Sequence, residues 1–130
     1  MIIQADISFE VVVTTHGDTF ESKIIEVVGG KEQGEIKGDI ERINGQKIFT
    51  ITSSDLHGKL HGHNIGFNFY ATTIKKCLDL GVTEFRSSHT LNEYSTGVWQ
   101  KIERLYYNCS LIKNTKKDTY YSVRRDKKLL

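Results

Sequence analysis

The pattern of apolar and polar residues changes character about halfway along the chain. In the first half, apolar residues alternate with polar ones or form short runs, and glycine-bearing turns separate these segments. Alternation with a period of two is typical of β strands. It predicts strands over residues 5–13, 20–28, 35–43 and 47–51, the last continuing as an apolar run to Leu56. The Asn44-Gly45 pair is typical of a type I′ hairpin turn. The first half is therefore predicted to be an antiparallel meander.

After Gly66 the apolar residues recur at helical spacing. Phe67, Tyr70, Ile74 and Leu78 follow one another at three and four residues, which is one face of an amphipathic helix closed by Gly81. The glycine-rich loop over residues 57–66 leads into this helix. Further strands are predicted over residues 82–89, 105–112 and 119–124, the last two as a hairpin.

The start of this helix has the features of an anion site. The N–H groups of a first helical turn lack intrahelical partners, and the helix dipole places partial positive charge there. Both favour phosphate or pyrophosphate at the end of the loop. The alternative is an ordinary strand-to-helix connection whose glycines only make the turn.

The loop residues His61-Gly62-His63-Asn64-Ile65-Gly66, followed by a helix that ends at Leu80-Gly81, resemble the acetyl-CoA segment of the GNAT N-acetyltransferase superfamily. That segment reads Arg/Gln-x-x-Gly-x-Gly/Ala. In an ungapped alignment His61 takes the Arg/Gln position, Asn64 the middle glycine and Gly66 the last. Asn tolerates a left-handed backbone and His can contact a phosphate oxygen, so both departures are compatible with the site.

A second segment, residues 91–102, resembles the next GNAT pattern, Asn-x-x-Ala/Ser-x-x-Leu-Tyr-x-Lys. Asn92, Ser95, Val98 and Lys101 fit this pattern. The resemblance implies that Asn92 contacts the pantetheine arm of the cofactor. The tyrosine that often reprotonates the departing thiolate is replaced by Trp99, whose indole N–H is no useful proton donor.

The resemblance implies an α+β fold with a mixed, mostly antiparallel sheet and two main helices. The implied activity is transfer of an acetyl group from acetyl-CoA to an amine acceptor, a small molecule or a protein. In the resembled family a backbone N–H at a strand bulge polarises the thioester carbonyl, and by alignment this donor is Leu56. Asp55 is the nearest acidic residue to act as general base. The implied cofactor-binding residues are Ser54, Leu56, His57, His61, Gly62, His63, Asn64, Ile65, Gly66 and Asn92.

One departure concerns the acceptor side. GNAT enzymes normally place one or two helices between their first two strands, and the connection over residues 13–20 is too short for a helix. The acceptor side is then reduced or supplied by another chain. An alternative function follows, a non-catalytic GNAT-fold domain that serves as a protein-interaction module.

Length and composition predict one globular domain over residues 1–126 with a basic tail over 127–130. The sequence shows no signal peptide and no apolar run long enough to span a membrane, so we expect a cytoplasmic location. Cys77 and Cys109 are expected to be buried reduced thiols. Exposed edges of a short meander favour a homodimer or a partner chain.

Charge is unevenly distributed. Residues 1–65 contain 6 basic and 10 acidic side chains, whereas residues 66–130 contain 12 and 6. The basic half also contains Tyr106, Tyr107, Tyr120 and Tyr121, so a nucleic-acid-binding surface is a third hypothesis, although such tyrosines are more often cross-strand pairs. Asp55, His57, His61 and His63 match no recognised zinc spacing, and we predict no metal site.

Overall fold

The computed structural model describes residues 2–4, 7–57, 64–88, 93–105, 109–113 and 119–124. Its strands and helices follow one another in the order β1 Ile2–Gln4, β2 Ile7–His16, β3 Thr19–Glu26, β4 Glu32–Ile43, β5 Gln46–Leu56, α1 Ile65–Asp79, β6 Glu84–Arg86, α2 Glu93–Leu105, β7 Cys109–Lys113 and β8 Thr119–Arg124.

The strands form one eight-stranded sheet in the order β1-β2-β3-β4-β5-β6-β8-β7. β5 and β6 are parallel, and every other neighbouring pair is antiparallel. The parallel pair requires a crossover, which α1 supplies. This confirms the predicted α+β architecture with two main helices. It also confirms that no helix separates β2 from β3, since a turn at Gly17-Asp18 joins them.

Two turns show why local sequence predicted the element ends. Asn44 and Gly45 both have positive φ, 50° and 79°, as a type I′ turn requires. Gly81 has a φ of 91° after α1. Its N–H donates to the carbonyl of Leu78, and the N–H of Val82 donates to that of Cys77. This is a Schellman cap, which only a residue that tolerates the left-handed region closes without strain.

The structure corrects three of the predicted boundaries. The prediction began a strand at Leu105, but Leu105 is the last residue of α2 and follows Trp99 and Ile102 at helical spacing. A strand was expected over residues 82–89, and of the described residues 82–88 only Glu84–Arg86 form one. The first turn is shorter than expected, since β2 continues to His16 and pairs with Thr19. β1 was not predicted.

Both helices pack against the same face of the sheet. This face, the helix face, is apolar, and its buried side chains include Phe9, Val11, Phe20, Ile24, Ile36, Phe49, Phe85 and Val123. Ser22 on β3 and Thr73 on α1 share a buried hydrogen bond of 2.7 Å between sheet and helix. Cys77 is buried here, and burial raises the pKa of its thiol to about 12. It is thus the buried reduced thiol that was predicted; Cys109 lies in β7.

The opposite face of the sheet, the open face, is charged. Along β3 and β4 the residues that alternate with the core include Glu21, Lys23, Glu35 and Lys37. Lys23 pairs with Glu21 at 2.9 Å, and Lys37 pairs with Glu35 at 3.5 Å. Within the described residues no helix covers this face, and its ionised side chains are compatible with water.

Candidate functional site

A cleft opens where β5 and β6 separate. The two strands pair through Ile48–Glu84, Phe49–Phe85 and Thr50–Arg86, which are the pairs that the described residues show. β5 then stays with β4 as far as Leu56. Beyond Arg86 the chain stays with β8, since the N–H of Ser87 donates to the carbonyl of Tyr121 at 2.8 Å. The second half of β5 is thus a wall with β4 on one side and, within the described residues, no paired strand on the other, and we call the space on that second side the cleft.

A bulge lies in this half of β5. Lys37 faces Ser53 and Gly38 faces Ile51, so Thr52 is the extra residue. A bulge shifts the alternation of the strand by one residue. Before it Ile51 lies on the helix face, and after it Ser54 and Leu56 do. The resemblance implied a bulge at the donor, Leu56; β5 does contain a bulge, but it lies at Thr52, four residues before Leu56.

The register also fixes where the backbone N–H groups after the bulge point. The N–H of His57 donates to the carbonyl of Gln33 on β4 at 2.7 Å. Because alternate residues of a strand direct their N–H groups to opposite sides, those of Ser54 and Leu56 point away from β4, toward the cleft. The Leu56 side chain is buried in the core. Asp55 is exposed and lies on the open face.

The N-terminus of α1 lies beyond this wall. Asn64 precedes the helix with a φ of 60°, in the left-handed conformation that Asn tolerates better than most residues. It makes no side-chain cap hydrogen bond, and the first turn contains no acidic residue. Ile65 and Gly66 are buried. The helix dipole at this end is therefore not offset by a carboxylate of its own first turn.

Lys101 on α2 brings a positive charge to the same place. Its Nζ donates to Asn64 Oδ1 at 2.5 Å and lies 4.7 Å from the centroid of the Phe67 ring. The ammonium group thus lies beside the first turn of α1. The sequence placed Lys101 on the second GNAT pattern but gave it no role, because only the packing of α2 against α1 brings the two segments together.

A cluster of aromatic side chains lies behind the cleft wall. The single tryptophan, Trp99, is fully buried. It stacks on Tyr121 at 5.7 Å and on Phe85 at 6.4 Å, and its ring meets Tyr70 edge-on at 5.9 Å. Its indole N–H has no hydrogen-bond partner among the described residues. Tyr70 Oη donates to Ser54 Oγ at 2.6 Å, which links α1 to the cleft wall.

An ion pair lies on the open face at the closed end of the cleft. Arg86 binds Glu84 through two hydrogen bonds of 2.6 and 3.2 Å, and Ser122 donates to the same carboxylate at 2.8 Å. Burial raises the pKa of Glu84, but the hydrogen bonds from Arg86 and Ser122 outweigh burial and hold it below its ordinary value. Glu84 therefore stays ionised, and its carboxylate already accepts hydrogen bonds from Arg86 and Ser122, so it is a poor general base.

Several predicted site residues lie outside the described part of the chain. These are His61, Gly62, His63 and Asn92. Within the described residues no group of three His, Cys, Asp or Glu side chains could hold a metal ion. Tyr106 and Tyr107 also lie outside it, while Tyr121 stacks on Trp99 and Tyr120 lies over Arg86 at 5.1 Å. The two described tyrosines are thus engaged within the fold, as cross-strand residues usually are.

Neither helix in the described residues has the length and apolar content needed to cross a bilayer.

Sequence comparison finds no matching protein-family model and no matching curated protein. Solved structures do match. The NatC complex bound to Gag peptide and CoA has 11% identity and a TM-score of 0.60 over 82% of this chain and 71% of that chain. The ribosomal-protein-S5-alanine acetyltransferase from Vibrio fischeri has 14% identity and a TM-score of 0.62 over 86% of this chain and 64% of that chain. An acetyltransferase of the GNAT family from Staphylococcus aureus Mu50 has 10% identity and a TM-score of 0.56, over 82% and 67%. At such identities the shared feature is the fold, and this chain spans about two thirds of those chains.

Proposed function

From the premise that this chain has the fold of the GNAT acetyltransferases, we propose that it binds acetyl-CoA and transfers the acetyl group to an amine. The observation that carries the proposal is the cleft between β5 and β6, with its bulge at Thr52 and the N-terminus of α1 beyond it. The thioester needs a backbone N–H beside the bulge, the pantetheine arm needs the unpaired side of β5, and the pyrophosphate needs the N-terminus of α1. One of the structures of this fold is described with CoA bound.

The pantetheine arm is proposed to lie along β5. Its amides pair with the strand over Ser54, Leu56 and His57, where two N–H groups point into the cleft. Asn92, the first residue of the second GNAT pattern, contacts the arm from the other side. The geometry of the described β5 residues supports the first half of this arrangement, and Asn92 rests on the sequence pattern.

The pyrophosphate is proposed to lie at the N-terminus of α1. It would accept hydrogen bonds from backbone N–H groups over residues 62–66, with His61 and His63 beside it. Gly62, Asn64, Ile65 and Gly66 belong to the same turn. Lys101 supports this placement, because its ammonium group already lies against Asn64 and would reach a phosphate oxygen.

The thioester carbonyl is proposed to accept a hydrogen bond from the backbone N–H of Leu56. An N–H aimed at the oxygen that gains negative charge stabilises the transition state of acyl transfer. The amine attacks from the open face, where Asp55 is exposed and is proposed to take the surplus proton through water. Asp39 and Glu41 are also exposed on this face, which favours a cationic amine.

The acceptor class is proposed from two of the matching structures. One matching structure is described with a peptide, and another is a protein acetyltransferase acting on an alanine of ribosomal protein S5. We therefore infer a protein or peptide amine as the first acceptor to test, with small polyamines as the second.

Incubation of the protein with acetyl-CoA and pooled acceptors tests the activity. The pools contain peptides with free N-termini, peptides whose only amine is lysine, and small polyamines, and acetylated products are read by mass spectrometry. The proposal predicts product in one pool and matching thiol release. Binding of CoA without product in any pool contradicts the catalytic part.

One observation favours a second candidate, a non-catalytic GNAT-fold interaction module. The position of the usual acid holds Trp99, which is fully buried and offers no titrating proton. This candidate predicts CoA binding that is weak or absent in the same experiment.

A further inference from the structure

The proposed reaction leaves a negative charge on sulfur, and position 99 offers no acid for it. Trp99 is enclosed by Tyr121, Phe85 and Tyr70 and has no exposed surface. An indole N–H does not titrate in water, so it donates a hydrogen bond at most. A thiolate is itself a competent leaving group, and a hydrogen-bond donor beside the sulfur would further stabilise the charge that develops there.

The cleft wall carries a hydroxyl pair that supplies such a donor. Tyr70 is nearly buried, at 5% exposure, and its Oη donates to Ser54 Oγ at 2.6 Å. Because Tyr70 supplies the proton in that hydrogen bond, Ser54 keeps its own O–H for another acceptor. Ser54 is exposed, lies just after the bulge on the helix face, and precedes by two positions the residue proposed to hold the thioester carbonyl, Leu56.

We propose that Ser54 and Tyr70 together protonate the departing sulfur, in place of the tyrosine expected at position 99. The inference rests on the proposed function. Ser54 is the direct donor, and Tyr70 is a positioning residue that acts through it.

The amine nitrogen bonds to the acetyl carbon, the carbon–sulfur bond breaks, and its electron pair stays on sulfur. The surplus proton of the amine leaves through water toward Asp55. The sulfur takes the proton of Ser54 Oγ, Ser54 takes that of Tyr70 Oη, and water returns a proton to Tyr70.

A phenol suits this role energetically. A thiol has a pKa of about 8.5 and a tyrosine one of about 10, so the phenol holds its proton at neutral pH, and its transfer to a thiolate is uphill by only about 1.5 pKa units. Phe at position 70 would preserve the ring that meets Trp99 and remove only the hydroxyl. This makes Tyr70→Phe a specific probe of the proton path.

Binding experiments test the inference without a known acceptor. A donor aimed at sulfur stabilises the thiolate of CoA and does nothing for acetyl-CoA, whose sulfur does not titrate. The affinity of the wild type for CoA relative to acetyl-CoA should therefore rise about five- to tenfold between pH 7 and pH 9.5, as a thiol pKa lowered by about one unit requires. Tyr70→Phe and Ser54→Ala should abolish most of this rise, and both variants should still bind acetyl-CoA.

Other titratable side chains on the elements around the pair are present in the wild type and in the variants alike. They are Asp55 and His57 on β5, Lys101 on α2 and Tyr121 on β8, and on the open face of β4 Glu35 and Lys37. Comparison of the affinity ratio between wild type and variants separates their contribution from that of the hydroxyl pair. Tyr120→Phe is the matched control, because Tyr120 lies over Arg86, on the open face.

The outcomes are distinct. A pH-dependent ratio that Tyr70→Phe and Ser54→Ala remove and Tyr120→Phe keeps supports the inference. Binding of both ligands with a ratio that does not change with pH, or with variants that keep the wild-type rise, overturns it while the cofactor site stands. Absence of binding to either ligand overturns the proposed function itself. If Tyr70→Phe does not fold, Ser54→Ala at its exposed position decides the question.

Discussion

Replacement of Lys101 by Met should weaken CoA binding about tenfold. Lys101 Nζ lies 2.5 Å from Asn64 Oδ1 at the N-terminus of α1. A phosphate at that end of the helix would accept a hydrogen bond from the ammonium group, either instead of Asn64 Oδ1 or in addition to it. Hydrogen bonds to charged groups contribute about 1.5–3 kcal/mol when shielded, and exposed ion pairs about 0.2–1 kcal/mol. Lys101 is half-buried, so about 1.4 kcal/mol is a reasonable value, which is about a factor of ten in Kd.

Calorimetric titration of wild type and variant with CoA at two salt concentrations measures this effect. Lys101→Met should also flatten the salt dependence, because one phosphate contact is lost. Lys101→Arg should retain most of the affinity. Lys75→Met is the matched control, since Lys75 is exposed on α1 away from its N-terminus.

A titration with pantetheine, which lacks the phosphates, distinguishes loss of a phosphate contact from damage to the fold. Its affinity should be equal for wild type and Lys101→Met. An unchanged Kd for CoA in Lys101→Met, or an equal loss for CoA and pantetheine, would refute the placement of the phosphates at this helix end.

Two further predictions concern stability. A Cβ at Gly38 would lie 2.0 Å from the carbonyl oxygen of Thr50, so Gly38→Ala should lower the free energy of unfolding by about 2 kcal/mol in urea titration. At Gly97 nothing lies within 4 Å of the added Cβ, so Gly97→Ala should raise the free energy of unfolding by up to about 1 kcal/mol. Equal effects of the two variants would contradict the packing next to the bulge. The pKa of Glu84 is lower in the folded chain than in the unfolded one, so its stabilisation is present above about pH 4 and lost as pH falls further; Glu84→Gln should therefore be less stable than wild type at pH 7, and the difference should shrink in acid. A constant difference across that range would show that the pair with Arg86 contributes nothing.

The sequence predicted the elements whose signals are local. Asn44-Gly45 and Gly81 marked a hairpin and a helix end because each needs a positive φ that few residues adopt. The alternation over β2 to β5 and the helical spacing after Gly66 reflect burial on one face, so they also appeared without structural information. Leu105 was assigned to a strand because the β-rich residues that follow it masked the last turn of α2.

The site was predictable only in part. The order of loop, helix and second pattern indicated the cofactor end, and the left-handed Asn64 agrees with its place in that pattern. The bulge at Thr52, the contact of Lys101 with Asn64, and the hydrogen bond of Tyr70 to Ser54 all depend on partners distant in sequence. No local period reports such contacts.

The most direct test of the account is a titration of the purified chain with CoA, followed by calorimetry and by the fluorescence of Trp99. Trp99 is the single tryptophan and packs against Tyr70, whose hydroxyl binds the cleft wall, so a ligand on this wall should change the tryptophan emission. The account predicts saturable one-to-one binding in the micromolar range, with a fluorescence change that saturates at the same concentration and shifts to higher concentration in Lys101→Met. No heat and no fluorescence change at millimolar CoA would contradict it.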